Sequence, residues 1–362
     1  MKKEVGHSTT MKTRQIPADE LLLREYMPRP RLVVKETPIE RPRFPVVDVH
    51  NHLGPVFGNW VKRPVEELLA LMDEAGVQMI VDLDGGWDDT LAEHIVHFQR
   101  PHPDRFVVFA RLNWGRWAED PDFPRYAVES LRHSAAMGAR GLKVWKDLGL
   151  GIRDSEGRMV SVDDERLDPL WETAGELGLP VLIHIADPVA FFDPLDRFNE
   201  RWEELHAHPD WHFYGPEFPS FETVIDQFAN LVRRHPETTF IGAHMGAYAE
   251  NLAWVAELMD ACPNFYVDIA ERIAELGRQP YTARRFLIEY QDRVLFGIDQ
   301  PVNPALYRIY YRFLETDDEY FAYGTEEVPR QGRWRIYGVH LPDEVLRKIY
   351  HANAYRLLGL SG

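Results

Sequence analysis

Val46-Val47-Asp48-Val49-His50-Asn51-His52 runs directly into Leu53-Gly54-Pro55. Three valines in four residues read as a buried strand, and the Gly-Pro pair ends it. Alternate side chains of a strand share one face, so Asp48, His50 and His52 are expected to point one way, and Val47 and Val49 the other. Two imidazoles about 7 Å apart along one face can close on a single metal ion. A plainer reading has two polar histidines on a strand leaving for solvent. Against it stand three residues further on: His184 and His244, each ending an apolar run, and Asp299.

Working outward, short apolar runs alternate with helical stretches. The expected strands are 46–49, 79–83, 106–112, 139–145, 180–185, 239–244, 265–269 and 294–298. The expected helices are 64–74, 89–98, 124–137, 164–177, 221–234, 250–260 and 282–290, with a closing helix over 341–358. Pro64 suits a first helical turn, and Gly76, Gly138 and Gly178 suit helix ends. Eight strands alternating with helices point to an α/β fold, a (β/α)8 TIM barrel. No glycine-rich dinucleotide fingerprint follows the first strand, which weakens an open doubly wound sheet. Two long loops interrupt the pattern. The one after strand 5 (187–220) carries Phe191, Trp211 and Phe213, and the one after strand 8 (300–340) carries Tyr307, Tyr310 and Trp334. Either could cover a substrate or form a subunit interface, so a homodimer is one expectation. Residues 1–44 are rich in proline and charge and read as an extended N-terminal arm, its first dozen residues disordered, on a barrel spanning 45–362.

The 362 residues carry 58 acids against 41 bases, a formal net charge of −17. Such a surface repels phosphate backbones, so nucleic acid is not an expected partner. One cysteine, Cys262, excludes an intrachain disulfide and a cysteine-based zinc site. No signal peptide and no run of 18 apolar residues is read, so the expectation is a cytoplasmic protein with no membrane partner.

In such a barrel the chemistry lies at the C-terminal ends of the strands. Strand 1 ends in His50 and His52, strand 4 carries Lys143, strand 5 ends in His184, strand 6 in His244 and strand 8 in Asp299. Arg111 ends strand 3 and Arg272 follows strand 7; each can bind a substrate carboxylate, or Arg272 can pair with Glu271 or Asp268. Asp48 reads as an anchor of the first strand. His94, His97, His102, His206, His208 and His212 lie in helices or loops, most of them expected in solvent.

With these residues in place, the chain resembles the amidohydrolase superfamily, in the branch that holds aminocarboxymuconate-semialdehyde decarboxylase-like enzymes and lactone hydrolases. The resemblance is carried by Asp48-Val49-His50-Asn51-His52, Leu182-Ile183-His184, Ile241-Gly242-Ala243-His244-Met245-Gly246, Phe296-Gly297-Ile298-Asp299-Gln300-Pro301 and His351-Ala352-Asn353-Ala354. It implies a divalent metal, most often zinc, held by His50, His52, His184 and Asp299. It makes Asp299 and His244 the catalytic pair, with His244 a ligand in two-metal relatives. Lys143 stands near the place of a lysine that bridges two metals in some relatives and bridges nothing in others; it can also bind a substrate carboxylate, or pair with a neighbouring acid. Ile298 replaces the Ser or Thr common before that aspartate. The expected function is a metal-dependent hydrolase attacking an ester, lactone or amide carbonyl of a small cyclic carboxylate. The alternatives are a metal-dependent non-oxidative decarboxylase (carboxy-lyase) with the same ligands, and a catalytically silent metal-binding relative.

Overall fold

The computed structural model describes residues 19–360; the arm's first dozen residues lie outside them. The chain divides into one unit ending at Val33 and a second from Val34 to the C-terminus. Residues 19–33 hold a single 3-10 turn, Leu23–Glu25. Residues 34–45 belong to the second unit, where the Thr37 hydroxyl and main-chain N–H both donate to Asp318.

Eight parallel strands follow in order: β1 (Val46–Asn51), β2 (Val77–Asp82), β3 (Phe106–Val108), β4 (Leu142–Val144), β5 (Val181–Ile183), β6 (Phe240–Gly242), β7 (Phe265–Asp268) and β8 (Val294–Leu295). They pair as β1-β2-β3 and β4-β5-β6-β7-β8. A parallel bridge between Ala110 and Leu142 joins the two sets. On the other side, Val49 N–H donates to Phe296 O at 2.9 Å and Asp299 N–H to His50 O at 2.8 Å. These bonds carry the ring round to its start, the arrangement of an α/β barrel.

The alternation expected of the strands sets up two apolar layers. Val47, Val49, Val81, Leu182, Ile241 and Leu295 meet in one cluster. Val46, Ile80, Val144, Ile183 and Val267 pack in the other, with helix residues such as Leu68, Leu131 and Phe228. Helices Val65–Ala75 and Phe123–Met137 end at Gly76 and Gly138, both left-handed, as their sequence signals require.

The segment after β8 departs from the expected long loop. Pro304–Glu315 is a helix, capped by the Asn303 side chain. Its buried face includes three tyrosines, Tyr307, Tyr310 and Tyr311, which the sequence pattern presents as a loop aromatic cluster. The closing helix is also broken: Asp343–Arg347 and Asn353–Leu358 flank a π-helical turn, Lys348–Ala352. Among the described residues no helix is long and apolar enough to cross a membrane.

Candidate active site

The six polar groups expected at the strand ends do gather. Asp299 is their centre. Its Oδ2 lies 3.5 Å from His50 Nε2 and 3.4 Å from His244 Nε2, and its Oδ1 lies 3.4 Å from His52 Nε2. Lys143 Nζ is 3.3 Å from His50 Nε2. The His184 ring sits 4.4 Å from that of His244, centroid to centroid. One ligand atom from each of His50, His244 and Asp299 falls within 4.8 Å of the others.

The backbone is bent to deliver these groups. Asp299, His244 and Glu271, at or just past the ends of β8, β6 and β7, have φ of 51°, 59° and 53°. Left-handed backbone at non-glycine residues is costly and clusters at working sites. Gly297 is required for a different reason: a Cβ there would stand 2.8 Å from the His50 Cβ, so only glycine lets β8 approach β1 this closely.

Three of the four imidazoles are fixed from behind. His50 Nδ1 bonds Asp268 at 2.9 Å, His52 Nδ1 bonds Asp84 at 2.8 Å, and His244 Nδ1 bonds Ala270 O at 2.8 Å. Such partners fix the tautomer and leave Nε2 free for a cation. Asp84 is itself held, since its main-chain N–H and that of Leu53 donate to Asp82, whose other oxygen takes His94. His94 is therefore buried, unlike the solvated state expected for most of the helix and loop histidines. Asp48 anchors as read: it accepts from Tyr307 at 2.6 Å and Asn51 at 2.8 Å. The pairing of β1 shifts register between Asp48 and Asn51, so the simple alternation of Asp48, His50 and His52 does not hold through the strand.

Burial sets the electrostatics. It holds His50 and His244 well below the usual imidazole range and brings His184 down to about 4, in each case favouring the neutral form that binds a cation. Burial lowers Lys143 to about 8, against the pull of Asp299 and Asp268, and raises Glu271 to about 7, against Arg330. Neutral imidazoles converging on a partly exposed carboxylate, Asp299, suit a divalent first-row cation. His184 Nε2 makes no hydrogen bond, although Asp187 Oδ1 lies 3.5 Å away, so it too has an open coordination position.

A cavity of about 560 Å³ opens over this cluster. Its wall includes Phe57, Trp145, Phe191, Trp211 and Phe213, the last three from the segment after β5. Arg272 lines it and is buried. The alternative ion pair with Glu271 or Asp268 does not form: among the described residues no carboxylate lies within 4.0 Å of Arg272, which donates to the main-chain oxygen of Glu271 at 2.9 Å. Arg111 is placed differently, 3.8 Å from Asp84 and over the Trp145 ring, outside the cavity wall. Asp84, Asp187 and Gln331 were not singled out by the sequence, which offers Asp268 only as an alternative partner of Arg272. Asp84 and Asp268 did carry a signal, an acid at or just past a strand end.

Comparison with solved structures finds the same fold at low identity. A 2,6-dihydroxybenzoate decarboxylase from Rhizobium is 19% identical, with 88% of this chain and 99% of that chain covered and a TM-score of 0.55. A dihydroxybenzoic acid decarboxylase from Polaromonas sp. JS666, with bound manganese and 2-nitroresorcinol, is 17% identical over 87% and 97%, with a TM-score of 0.54. A TIM-barrel protein from Bordetella bronchiseptica is 15% identical over 87% and 99%, with a TM-score of 0.54. The amidohydrolase family model matches residues 47–360, from β1 through all the strand-end residues above, and the chain belongs to the amidohydrolase family.

Proposed function

We propose that the protein is a metal-dependent hydrolase of a small, planar carboxylate carrying an ester, lactone or amide. The observation that supports it most is Arg272: a buried guanidinium with no carboxylate partner, in the wall of the cavity that holds Asp299 and the histidines. The Arg272 Nε makes no hydrogen bond, and a ligand carboxylate can meet a guanidinium with two parallel hydrogen bonds. An arginine pair also stabilises a carboxylate as it stands, which suits a group that is held while another group reacts.

His50, His52, His184 and Asp299 are the proposed holders of the cation, with His244 beside them. Zinc is the proposed ion on donor chemistry; the Polaromonas enzyme holds manganese, and a set of imidazoles and one carboxylate takes either. When bound, the ion supplies Lewis acidity towards water and a carbonyl. Asp299 takes the proton of the attacking water and passes it to the departing oxygen or nitrogen as the acyl bond breaks. His244, fixed through Ala270, orients the substrate carbonyl. Arg272 holds the carboxylate, and the aromatic wall excludes bulk water.

A second reading, decarboxylation, is favoured by the aromatic wall and by the fold shared with two benzoate decarboxylases. Turnover of lactones and aromatic acids in 18O-labelled water separates them. Label in the product acid supports hydrolysis. Carbon dioxide released from the substrate, with no label in the remaining product, supports decarboxylation. Metal-replete protein that turns over neither class overturns both and leaves a silent binder.

A further inference from the structure

Among the described residues, five that line the cavity carry a buried polar atom with no hydrogen-bond partner: Trp145, His184, Arg201, Arg272 and Gln331. Two of these side chains, Arg272 with its Nε unpaired and Gln331 with its Oε1 unpaired, come from separate segments, after β7 and after the helix Pro304–Glu315, yet both reach the main-chain oxygen of Glu271. Arg272 Nη1 donates to the main-chain oxygen of Glu271 at 2.9 Å, and Gln331 Nε2 reaches the same oxygen at 3.5 Å. The Gln331 amide is also held in one orientation. Its Nε2 donates to Glu271 Oε2 at 2.7 Å, while Glu271 Oε1 takes Arg330 at 3.2 Å. An ionised carboxylate only accepts, so the nitrogen faces Glu271 and the carbonyl oxygen is the atom left over. Native structures rarely leave a buried acceptor unpaired, and an exception marks strain, an ordered water or ion, or a functional contact. In the wall of a cavity, beside Arg272, a functional contact is the reading that fits Gln331.

We infer that Arg272 and Gln331 form a two-point subsite, in which the guanidinium takes the substrate's carboxylate and the Gln331 carbonyl accepts from a hydroxyl or N–H on the same molecule. Gln331 is then the specificity-determining residue, and hydroxy- or amino-substituted carboxylates are the preferred class. The inference rests on Arg272 being the carboxylate anchor and adds a second contact to it. A site built to accept a hydrogen bond discriminates strongly against an analogue that lacks the donor, because its own polar atom is left unpaired.

The test is binding of benzoate, of ortho- and meta-hydroxybenzoate, and of their methyl ethers to the full-length, metal-containing protein. Binding is read by tryptophan quenching on rapid mixing, before turnover, at a pH well above 7 so that Glu271 is ionised. At least one hydroxybenzoate is expected to bind about tenfold more tightly than its ether. Gln331→Met is expected to erase that preference while leaving benzoate affinity unchanged. A wild-type protein indifferent to the methyl group at both positions overturns the inference without any variant. A preference that survives in Gln331→Met overturns it as well. If benzoate itself does not bind, or binds Arg272→Met equally well, the anchor fails and takes this subsite with it, a result distinct from loss of the hydroxyl preference alone.

Discussion

Asp268 holds two elements of the site with one carboxylate: Oδ2 is 2.9 Å from His50 Nδ1, while Oδ1 accepts the main-chain N–H of His244 at 2.9 Å. The end of β7 thereby sets the ring of β1 and the bend after β6 together. Asp268→Asn keeps the size and one acceptor but no longer fixes the His50 tautomer. Partners of this kind are worth 10–100-fold in metal affinity. We expect a loss of about that size, read by competition with a chromogenic chelator, with the circular dichroism spectrum unchanged. Undiminished affinity would show that His50 needs no support from Asp268.

His94 ties the second ligand arm to the pH of the medium. Burial disfavours its charged form, but the 2.5 Å bond to Asp82 outweighs this and leaves its pKa above the ordinary 6.5. The folded state therefore holds the proton more tightly than the unfolded chain. That contribution is present in full below 6.5 and is lost as pH rises through the folded value. His94→Gln is expected to lower urea stability by roughly 1–3 kcal/mol on the acid side of this window. The gap to wild type should narrow, without vanishing, on the alkaline side. A gap that is constant across the window would mean that His94 does not change charge there.

The sequence carried the strands and the strand-end residues well because both follow from short-range rules. Buried parallel strands are apolar runs, and a polar residue ending one has little other reason to be there. His50, His184, His244 and Asp299 were legible for that cause. What stayed hidden depends on partners distant in the chain. Asp84 acquires meaning only when β2 stands beside β1, and Asp268 only when the ring of strands brings the end of β7 within reach of the His50 side chain. The helix Pro304–Glu315 was hidden by its composition, since three tyrosines resemble a binding loop until Tyr307 is seen to reach Asp48 and Tyr311 the main chain of Ala75. Gln331 gave no signal at all, because its role depends on Glu271 filling one side of its amide.

Arg201 joins the segment after β5 to the segment after β7. Its side chain is fully buried, 2.7 Å from Glu204 and paired with Glu275. Removing one member of a buried ion network strands the others, at about 3–5 kcal/mol. Arg201→Met is expected to cost that much in urea denaturation and to expose residues 187–220 to limited proteolysis first. Adding Glu275→Gln should restore part of the loss, since the two changes share one partner network. Simple additivity of the two losses would count against a shared network.

His184 is the sharpest single test of the cation site. It is the one predicted ligand lacking an Asp299 oxygen within 4.0 Å among the described contacts, yet its buried Nε2 has no hydrogen-bond partner and its ring packs against His244. A neutral imidazole with an open nitrogen, beside two others and a carboxylate, is worth most as a ligand. His184→Ala removes it without touching Asp268, Asp84 or Ala270, which hold the other rings. We expect the variant to fold, with an unchanged circular dichroism spectrum, and to retain a tenth or less of the wild-type metal by elemental analysis after dialysis, roughly 1.4 kcal/mol or more of lost affinity. Activity should fall with the metal and stay low when excess zinc or manganese is supplied. A variant that keeps its full metal complement but loses activity would move His184 from the cation to the substrate. One that keeps both would remove it from the site.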